Sequence, residues 1–366
     1  MIPLHRPWID DAEEAAALRV LRSGRLAGNG SECAALEREL AARLGVEAVA
    51  VLSSATHALE LSMLLLGVDG GEVIVPSFTF PSVGSAVCRA GGTLRFCEVR
   101  EPDLNVDMDH ARSLVGPATR ALVVTHYAGH PQRFGGFPVP VIEDAAHALG
   151  SGIDGRACGT LGAFGCFSFH ATKNVVAGEG GALVASDPDA LRRVRIFREK
   201  GTNREDFTAG RVDFYAWVGI GSSLVMPELS AAVARAQLAK FDRIQQERCR
   251  VARRYDAALA DLERAGRLRV VRRADEGTTS HHIHAVLVDP AVRRRVIDRM
   301  QADGVQVASH FVPLHASPFG QALAGRPSLP VTNRLAASIV RLPIYPGLSP
   351  EQVEQVAASL ARALTT

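Results

Sequence analysis

The chain has no apolar run of the ~20 residues needed to cross a bilayer. Its opening segment, MIPLHRPWIDD, lacks the apolar core of a secretory signal. Both absences point away from membrane insertion and export, so the protein is expected to be cytoplasmic. Charge of one sign is missing as well: Lys plus Arg number 41 and Asp plus Glu 39, a formal net charge of +2. So balanced a surface gives no reason to expect nucleic acid or a membrane as partner. The short arginine-rich run from Arg269 to Glu276 reads as a solvated surface. Six cysteines, Cys33, Cys88, Cys97, Cys158, Cys166 and Cys249, are scattered without a C-x-x-C pair. That argues against a zinc knuckle or a disulfide framework, and all six are expected to be reduced and mostly buried. No internal repeat or low-complexity tract occurs.

What is present is a large apolar fraction, 47% hydrophobic in 366 residues, enough for a sizeable core divided between two domains. From Ala48 to Ser186 short β-branched runs alternate with helical patterns: AVAVL, EVIVP, TLRFCEV, RALVVTH, VPVIED, FGCFSFH and GALVAS. This rhythm predicts an α/β sheet flanked by helices. Segments such as THALELSMLLLG and PSVGSAVCRAGG are long enough for crossover helices, so the earlier strands should run parallel. The last two runs are joined by a short turn-rich link, and a locally antiparallel or mixed edge is expected there. Pro227 to Gly266 reads as one nearly unbroken helix leading into a second domain. The division is drawn at residues 1–240 and 241–366, the second part being a smaller α/β unit with strands near RVV and IHAVLV and a final helix over SPEQVEQVAASLARAL.

Two segments carry the chemistry. Lys173 lies where the apolar run ending at Ser168 breaks into a Ser/His/Thr/Gly-rich turn, and a desolvated amine there would give up its proton readily. That suits a lysine that forms an imine, the alternative being a lysine capping a turn. Asp144, 29 positions earlier, closes the short apolar run VPVI and should emerge at the carboxyl end of a buried strand, where ligands bind in α/β sheets. A strand-end cap or ion pair is the alternative. The chemistry that uses both groups is that of pyridoxal 5'-phosphate, in which a lysine holds the aldehyde and a carboxylate keeps the pyridine nitrogen protonated.

At these residues the chain resembles the DegT/DnrJ/EryC1/StrS family of sugar aminotransferases. The family pattern S-F-H-x-T-K-N-x-x-x-G-E-G-G is matched at every fixed position from Ser168 to Gly181, and the resemblance runs from IPLHRPWI to RLPIYPGLSPEQV. It implies an aspartate-aminotransferase-like architecture (PLP fold type I): a large domain with a mostly parallel mixed sheet plus a smaller C-terminal α/β domain. It implies pyridoxal phosphate as cofactor, and Lys173 both as its covalent anchor and as the base that moves a proton during transfer.

The resemblance also assigns further residues. Ser54, Ala55 and Thr56, between an apolar run and a helical one, would hold the phosphate at a helix N-terminus. Ser168 matches the phosphate-binding serine, with an ordinary strand-end hydroxyl as alternative. Phe80 in VPSFTFPS matches the aromatic that stacks on the pyridine, or is a plain core phenylalanine. His147 falls where many relatives carry a glutamine bonded to the cofactor's phenolic oxygen; a satisfied core histidine is the alternative. Ser223 takes the place of an asparagine that reaches the phosphate from the neighbouring subunit, and Val225 replaces an arginine, so a homodimer with shared active sites is implied. His170 reads as support for the lysine turn. Of His281, His282 and His284, only His282 and His284 would converge if all lay on one strand, too few for a structural metal, and no metal site is expected.

The stretch Arg198 to Ser223, with RSGRLAGNG, VVTHYAG and SHFVPLHASP, resembles enzymes that aminate dTDP-4-keto-6-deoxy-D-glucose at carbon 4. The implied partners are that dTDP-keto-sugar and L-glutamate. Lys200, Arg204 and His310 are candidates for holding the sugar nucleotide, with solvated surface charge the alternative. A carbon-3 aminotransferase and a non-catalytic regulatory relative are the competing readings. The intact set of Lys173, Asp144 and Ser168 speaks against the latter. A dehydrating relative would carry histidine in place of Lys173.

Overall fold

The computed structural model describes residues 1–323 and 327–365. Two N-terminal helices, α1 (Asp11–Ser23) and α2 (Ser31–Leu44), precede the first strand. Helix α1 opens on a capping box in which Asp10 and Glu13 satisfy each other's backbone amides, and both helices stop at a left-handed glycine, Gly24 and Gly45. Then β1 (Ala50–Leu52), α3 (Ala55–Leu66), β2 (Glu72–Pro76), α4 (Pro81–Arg89), β3 (Thr93–Cys97), α5 (Met108–Ser113), β4 (Thr119–Thr125) and β5 (Val141–Asp144) alternate. A small hairpin, β6 (Gly152–Ile153) and β7 (Arg156–Ala157), leads to β8 (Phe164–Ser168) and β9 (Gly181–Ala185). Pro81 at the first turn of α4 and the Ser54 cap of α3 fix where these helices start.

The seven long strands form one sheet in the order β1-β9-β8-β5-β4-β2-β3. Every pairing is parallel except those of β9, which runs antiparallel to both β1 and β8. The antiparallel strand therefore sits inside the sheet rather than at its edge, because the short link from β8 folds β9 back and β1 then closes over it. One apolar layer packs α3, α4 and a helix α6 (Pro188–Arg198) against one face, and another packs α2 against the opposite face. Because β1, β2, β4, β5 and β8 point the same way, the turns that follow them meet at one end of the sheet.

A short helix α7 (Arg204–Thr208) opens the middle segment, followed by α8 (Glu228–Ala239) and α9 (Phe241–Arg264). The single helix expected over Pro227–Gly266 is broken at Lys240 (φ −105°, ψ 13°). No Gly or Pro marks the break. Lys240 turns its ammonium onto Glu13 (2.7 Å) and Asp10 (2.9 Å), and this ties the junction to α1. Helix α8 packs on α1 and α2, whereas α9 packs on the last helix. The remainder holds a three-stranded antiparallel sheet of β10 (Arg269–Val270), β11 (His284–Leu287) and β12 (Ile339–Leu342). The remaining helices are α10 (Pro290–Ala302), α11 (Pro318–Leu323), α12 (Pro330–Ser338) and α13 (Pro350–Thr365), and a separate apolar cluster joins the three-stranded sheet to α9, α10 and α13. Among the described residues no helix is long and apolar enough to cross a membrane. Cys33, Cys97, Cys158 and Cys166 are buried, Cys88 and Cys249 partly so, and all six are free thiols.

Candidate active site

At the shared end of the parallel strands lies a cavity of about 450 Å³. Its floor comes from strand ends: Thr79 and Phe80 after β2, Thr125 at the end of β4, Asp144 at the end of β5 and Ser168 at the end of β8. The parallel register aligns Thr125 with Asp144 and Asp144 with Cys166, which brings the carboxylate level with the start of the lysine turn. Lys173 follows on a tight turn held by its own amide on the His170 carbonyl (2.9 Å), and His170 in turn bonds Thr172 (3.0 Å).

Burial dominates the electrostatics here. It pulls the Lys173 ammonium down from 10.5 to about 8; the Asp144 carboxylate opposes this, and the Arg341 guanidinium adds to it. Asp144 is pushed up by burial, against the Ala146 amide it accepts (3.1 Å) and the charge of Lys173. Among the described residues the Lys173 amine has no hydrogen-bond or ion-pair partner, so it faces the cavity free. Glu143, beside Asp144 on the strand, points the other way. It accepts from His126 Nε2 (2.8 Å) and from the amides of Gly159, Leu161 and Gly162 (2.7 Å each), fixing the loop that leads into β8.

One end of the cavity is the N-terminus of α3. Ser54 caps it by accepting from the His57 amide (3.1 Å), and the amides that follow are open to an anion. Gly181 makes this turn possible. A Cβ there would lie 2.4 Å from the Ala55 nitrogen, so only glycine lets β9 run alongside the Ser54–Ala55 backbone. Thr56 Oγ1 bonds Ser82 (2.7 Å), tying the turn to the start of α4.

Histidines form the opposite wall. His147 stacks on His282 with ring centroids 4.5 Å apart, and its Nδ1 is buried with no partner. His310 accepts from or donates to Tyr127 Oη at 3.0 Å. Burial lowers the pKa of all three rings, which keeps them neutral. His282 and His284 do not converge as a single strand would place them. His282 precedes β11 and lines the cavity, whereas His284 stacks on Tyr255 of α9 at 4.7 Å.

Of the candidates from the sequence, Lys173, Asp144, Ser54, Ala55, Thr56, Phe80, His147, Ser168 and His310 all line this one cavity. Phe80 does so while 57% exposed, so it is a wall open to solvent rather than a core ring. Lys200, Arg204 and Ser223 do not line it. Lys200 is held by Glu199 at 3.3 Å, Arg204 begins α7, and Ser223 is exposed and bridged to Glu199. Sequence reasoning missed Arg341 on β12, along with His5, Thr79 and Thr125. Arg341 opens the RLPIYPGLSPEQV stretch, which marks the far end of the resemblance without pointing to a site, and the folding of β12 against the cavity brings it in.

A free amine, a buried carboxylate with one oxygen left over, open helix amides and an orphaned ring nitrogen fit pyridoxal phosphate at its aldehyde, pyridine nitrogen, phosphate and phenolic oxygen. The DegT/DnrJ/EryC1/StrS aminotransferase family matches residues 7–361. The chain belongs to that family. Pyridoxal phosphate is therefore the cofactor of this aminotransferase.

Over 379 aligned residues the aminotransferase is 30% identical to the dTDP-4-dehydro-2,3,6-trideoxy-D-glucose 4-aminotransferase of Saccharopolyspora spinosa, covering 100% of this chain and 97% of that protein. The crystal structure of the aminotransferase TlmJ from Streptoalloteichus hindustanus superimposes with a TM-score of 0.92 at 33% identity, covering 100% and 99% of the two chains. The PLP form of the sugar aminotransferase Spr1654 from Streptococcus pneumoniae shares the fold, with a TM-score of 0.89 at 24% identity over 100% and 98%. The aspartate-aminotransferase-like architecture is thus established along the whole chain.

Proposed function

We infer that the protein transfers an amino group from L-glutamate to the C4 keto group of a dTDP-4-keto-6-deoxyhexose, giving a dTDP-4-amino-4,6-dideoxyhexose. The observation that carries this reading is the assembly of Lys173, Asp144 and the α3 N-terminus around one cavity, in a chain 30% identical to a dTDP-sugar 4-aminotransferase. The dense likeness of Arg198–Ser223 to carbon-4 enzymes supports C4 over C3.

When bound, pyridoxal phosphate supplies an electron sink. Asp144 keeps the pyridine nitrogen protonated, and the α3 amides with Ser54 and Ser168 hold the phosphate. His147 offers its unpartnered Nδ1 to the phenolic oxygen. Lys173, titrating near 8, anchors the cofactor and then, as a neutral amine, takes the proton from the donor's Cα and later delivers one to the sugar carbon. Neutral histidines on the far wall give the sugar hydrogen-bonding partners without competing for that proton.

The same reading makes the enzyme a homodimer with shared sites. Phe214, Trp217 and Ile220 are 77–83% exposed on the segment between α7 and α8, an apolar patch suited to a second copy, and Ser223 on the same segment would reach the partner's phosphate site. The domain division at residue 240 is part of this proposal, with the small unit closing the cavity through β12.

Incubating the purified enzyme with L-glutamate and dTDP-4-keto-6-deoxyglucose, then taking the mass and proton couplings of the product, tests it. A new amine whose ring couplings place it at C4 is expected. An amine at C3 overturns the regiochemistry, and no amination of any keto-sugar overturns the substrate class.

A further inference from the structure

Among the described residues Arg341 is the one arginine in the cavity wall, and no step of the transfer yet uses it. It lies on β12, its backbone held on one side by Ala285 of β11 and on the other by Ala308, whose carbonyl accepts the Arg341 amide at 2.8 Å. The guanidinium is largely buried, its Nε has no hydrogen-bond partner, and among the described residues it makes no ion pair. A buried guanidinium without a counter-anion is costly, and a fixed backbone holds this one in place. The two carboxylates that line the same cavity do not serve it. Asp144 accepts the Ala146 amide (3.1 Å) and forms no ion pair with the guanidinium, and Glu179 is largely exposed beside His170 (3.7 Å).

We propose that Arg341 binds the α-carboxylate of the amino-acid donor, fixing its Cα proton toward Lys173. This rests on the reading of the enzyme as a glutamate-dependent transaminase and adds the residue that recognises the donor. Two anions could enter this cavity: a donor carboxylate or the diphosphate of a sugar nucleotide. An α-carboxylate lies two bonds from the donor nitrogen, whereas the diphosphate leaves from C1, across the hexose ring from C4. Arg341 lines the same cavity as Lys173 and Asp144, which puts the guanidinium in the chamber where the donor nitrogen reacts and favours the carboxylate. The planar fork of arginine matches a carboxylate with two parallel hydrogen bonds.

The test uses cofactor-loaded enzyme, with each half of the reaction followed by the cofactor's absorption and with calorimetric binding of glutarate, a dicarboxylate that has no amine to give. Arg341→Gln should raise the half-saturating glutamate concentration and weaken glutarate binding by roughly 30-fold or more, the loss of a charge-assisted pair. The keto-sugar half-reaction of the amine-loaded enzyme should keep its half-saturating keto-sugar concentration. Wild-type enzyme should strongly prefer glutamate to 4-aminobutyrate, which lacks the α-carboxylate, and Arg341→Gln should erase that preference while keeping discrimination against 2-aminopentanoate, which lacks the distal one. Arg341→Lys, which keeps the charge and loses the fork, should fall between and melt as wild type does, so a folding defect is told apart. A variant that keeps full preference for the α-carboxylate, or that impairs only the keto-sugar half-reaction, overturns the assignment. A wild-type enzyme that does not respond to glutamate overturns the donor reading instead.

Discussion

Asn174 accepts a hydrogen bond of 2.8 Å from Nδ1 of His282, so the residue next to Lys173 fixes the tautomer of a histidine on the facing wall. The amide's orientation is set because its Nδ2 donates to the Ser280 carbonyl (2.9 Å) and to Gln245 (3.1 Å), which leaves Oδ1 as the only acceptor. Nε2 of His282 is then an unprotonated acceptor in the cavity. Arg248, itself fully buried and brought down to about 9 by that burial, donates to the His281 and His282 carbonyls and keeps the segment in place. Replacing Asn174 by Ala strands two buried groups, the Ser280 carbonyl and the His282 ring, and the part-buried Gln245 amide. We expect a stability loss of about 2–3 kcal/mol by urea titration and a larger drop in turnover than in cofactor affinity.

The Lys173 amine must be neutral to capture pyridoxal phosphate, and its folded value lies near 8 rather than 10.5. Capture by the cofactor-free enzyme should therefore rise about tenfold per pH unit up to a midpoint near 8 and level off above it. Asp144 favours the ammonium and Arg341 opposes it, so the two variants move the midpoint in opposite directions. Asp144→Asn should shift it to lower pH and Arg341→Gln to higher pH, as read by stopped-flow absorption across a pH series. Asp144→Asn should also weaken cofactor binding and turnover, since the pyridine nitrogen loses its counter-charge.

Glu143 is a structural carboxylate. Its two oxygens take four donors, three backbone amides and the His126 ring, and Nδ1 of His126 accepts the Gln132 amide (3.0 Å), so the ring is neutral and donates through Nε2. Glu143→Gln presents an NH2 to donors only. A loss of about 2–4 kcal/mol in unfolding free energy follows, with the glutamate half-saturation unchanged in whatever fraction folds.

Much of this was legible in the sequence because the cofactor chemistry is local. The lysine turn, the strand-end aspartate and the α3 cap each occupy a few consecutive residues, and the parallel sheet brings them to one end. Arg341 was not legible, since a single arginine on a short strand announces nothing until β12 is folded against the cavity. The break at Lys240 was equally hidden, because tertiary pairing with Asp10 and Glu13 makes it, without a helix-breaking residue. The histidine run misled for a related reason: β11 begins at His284, so the alternation of a strand does not extend back to His282.

The exposed Phe214, Trp217 and Ile220 segment gives a test of assembly. Trp217→Glu should convert a dimer to monomer in sedimentation velocity and reduce turnover through loss of Ser223's reach into the partner. Unchanged sedimentation would place the dimer interface elsewhere.

The chain contains only three lysines, Lys173, Lys200 and Lys240, which makes the central claim directly measurable. Borohydride reduction of the cofactor-loaded enzyme, followed by peptide mass mapping, should leave the pyridoxyl adduct on the peptide carrying Lys173 and on no other, and Lys173→Ala should abolish both label and turnover. An adduct on Lys200 or Lys240, or turnover retained by Lys173→Ala, would contradict the account.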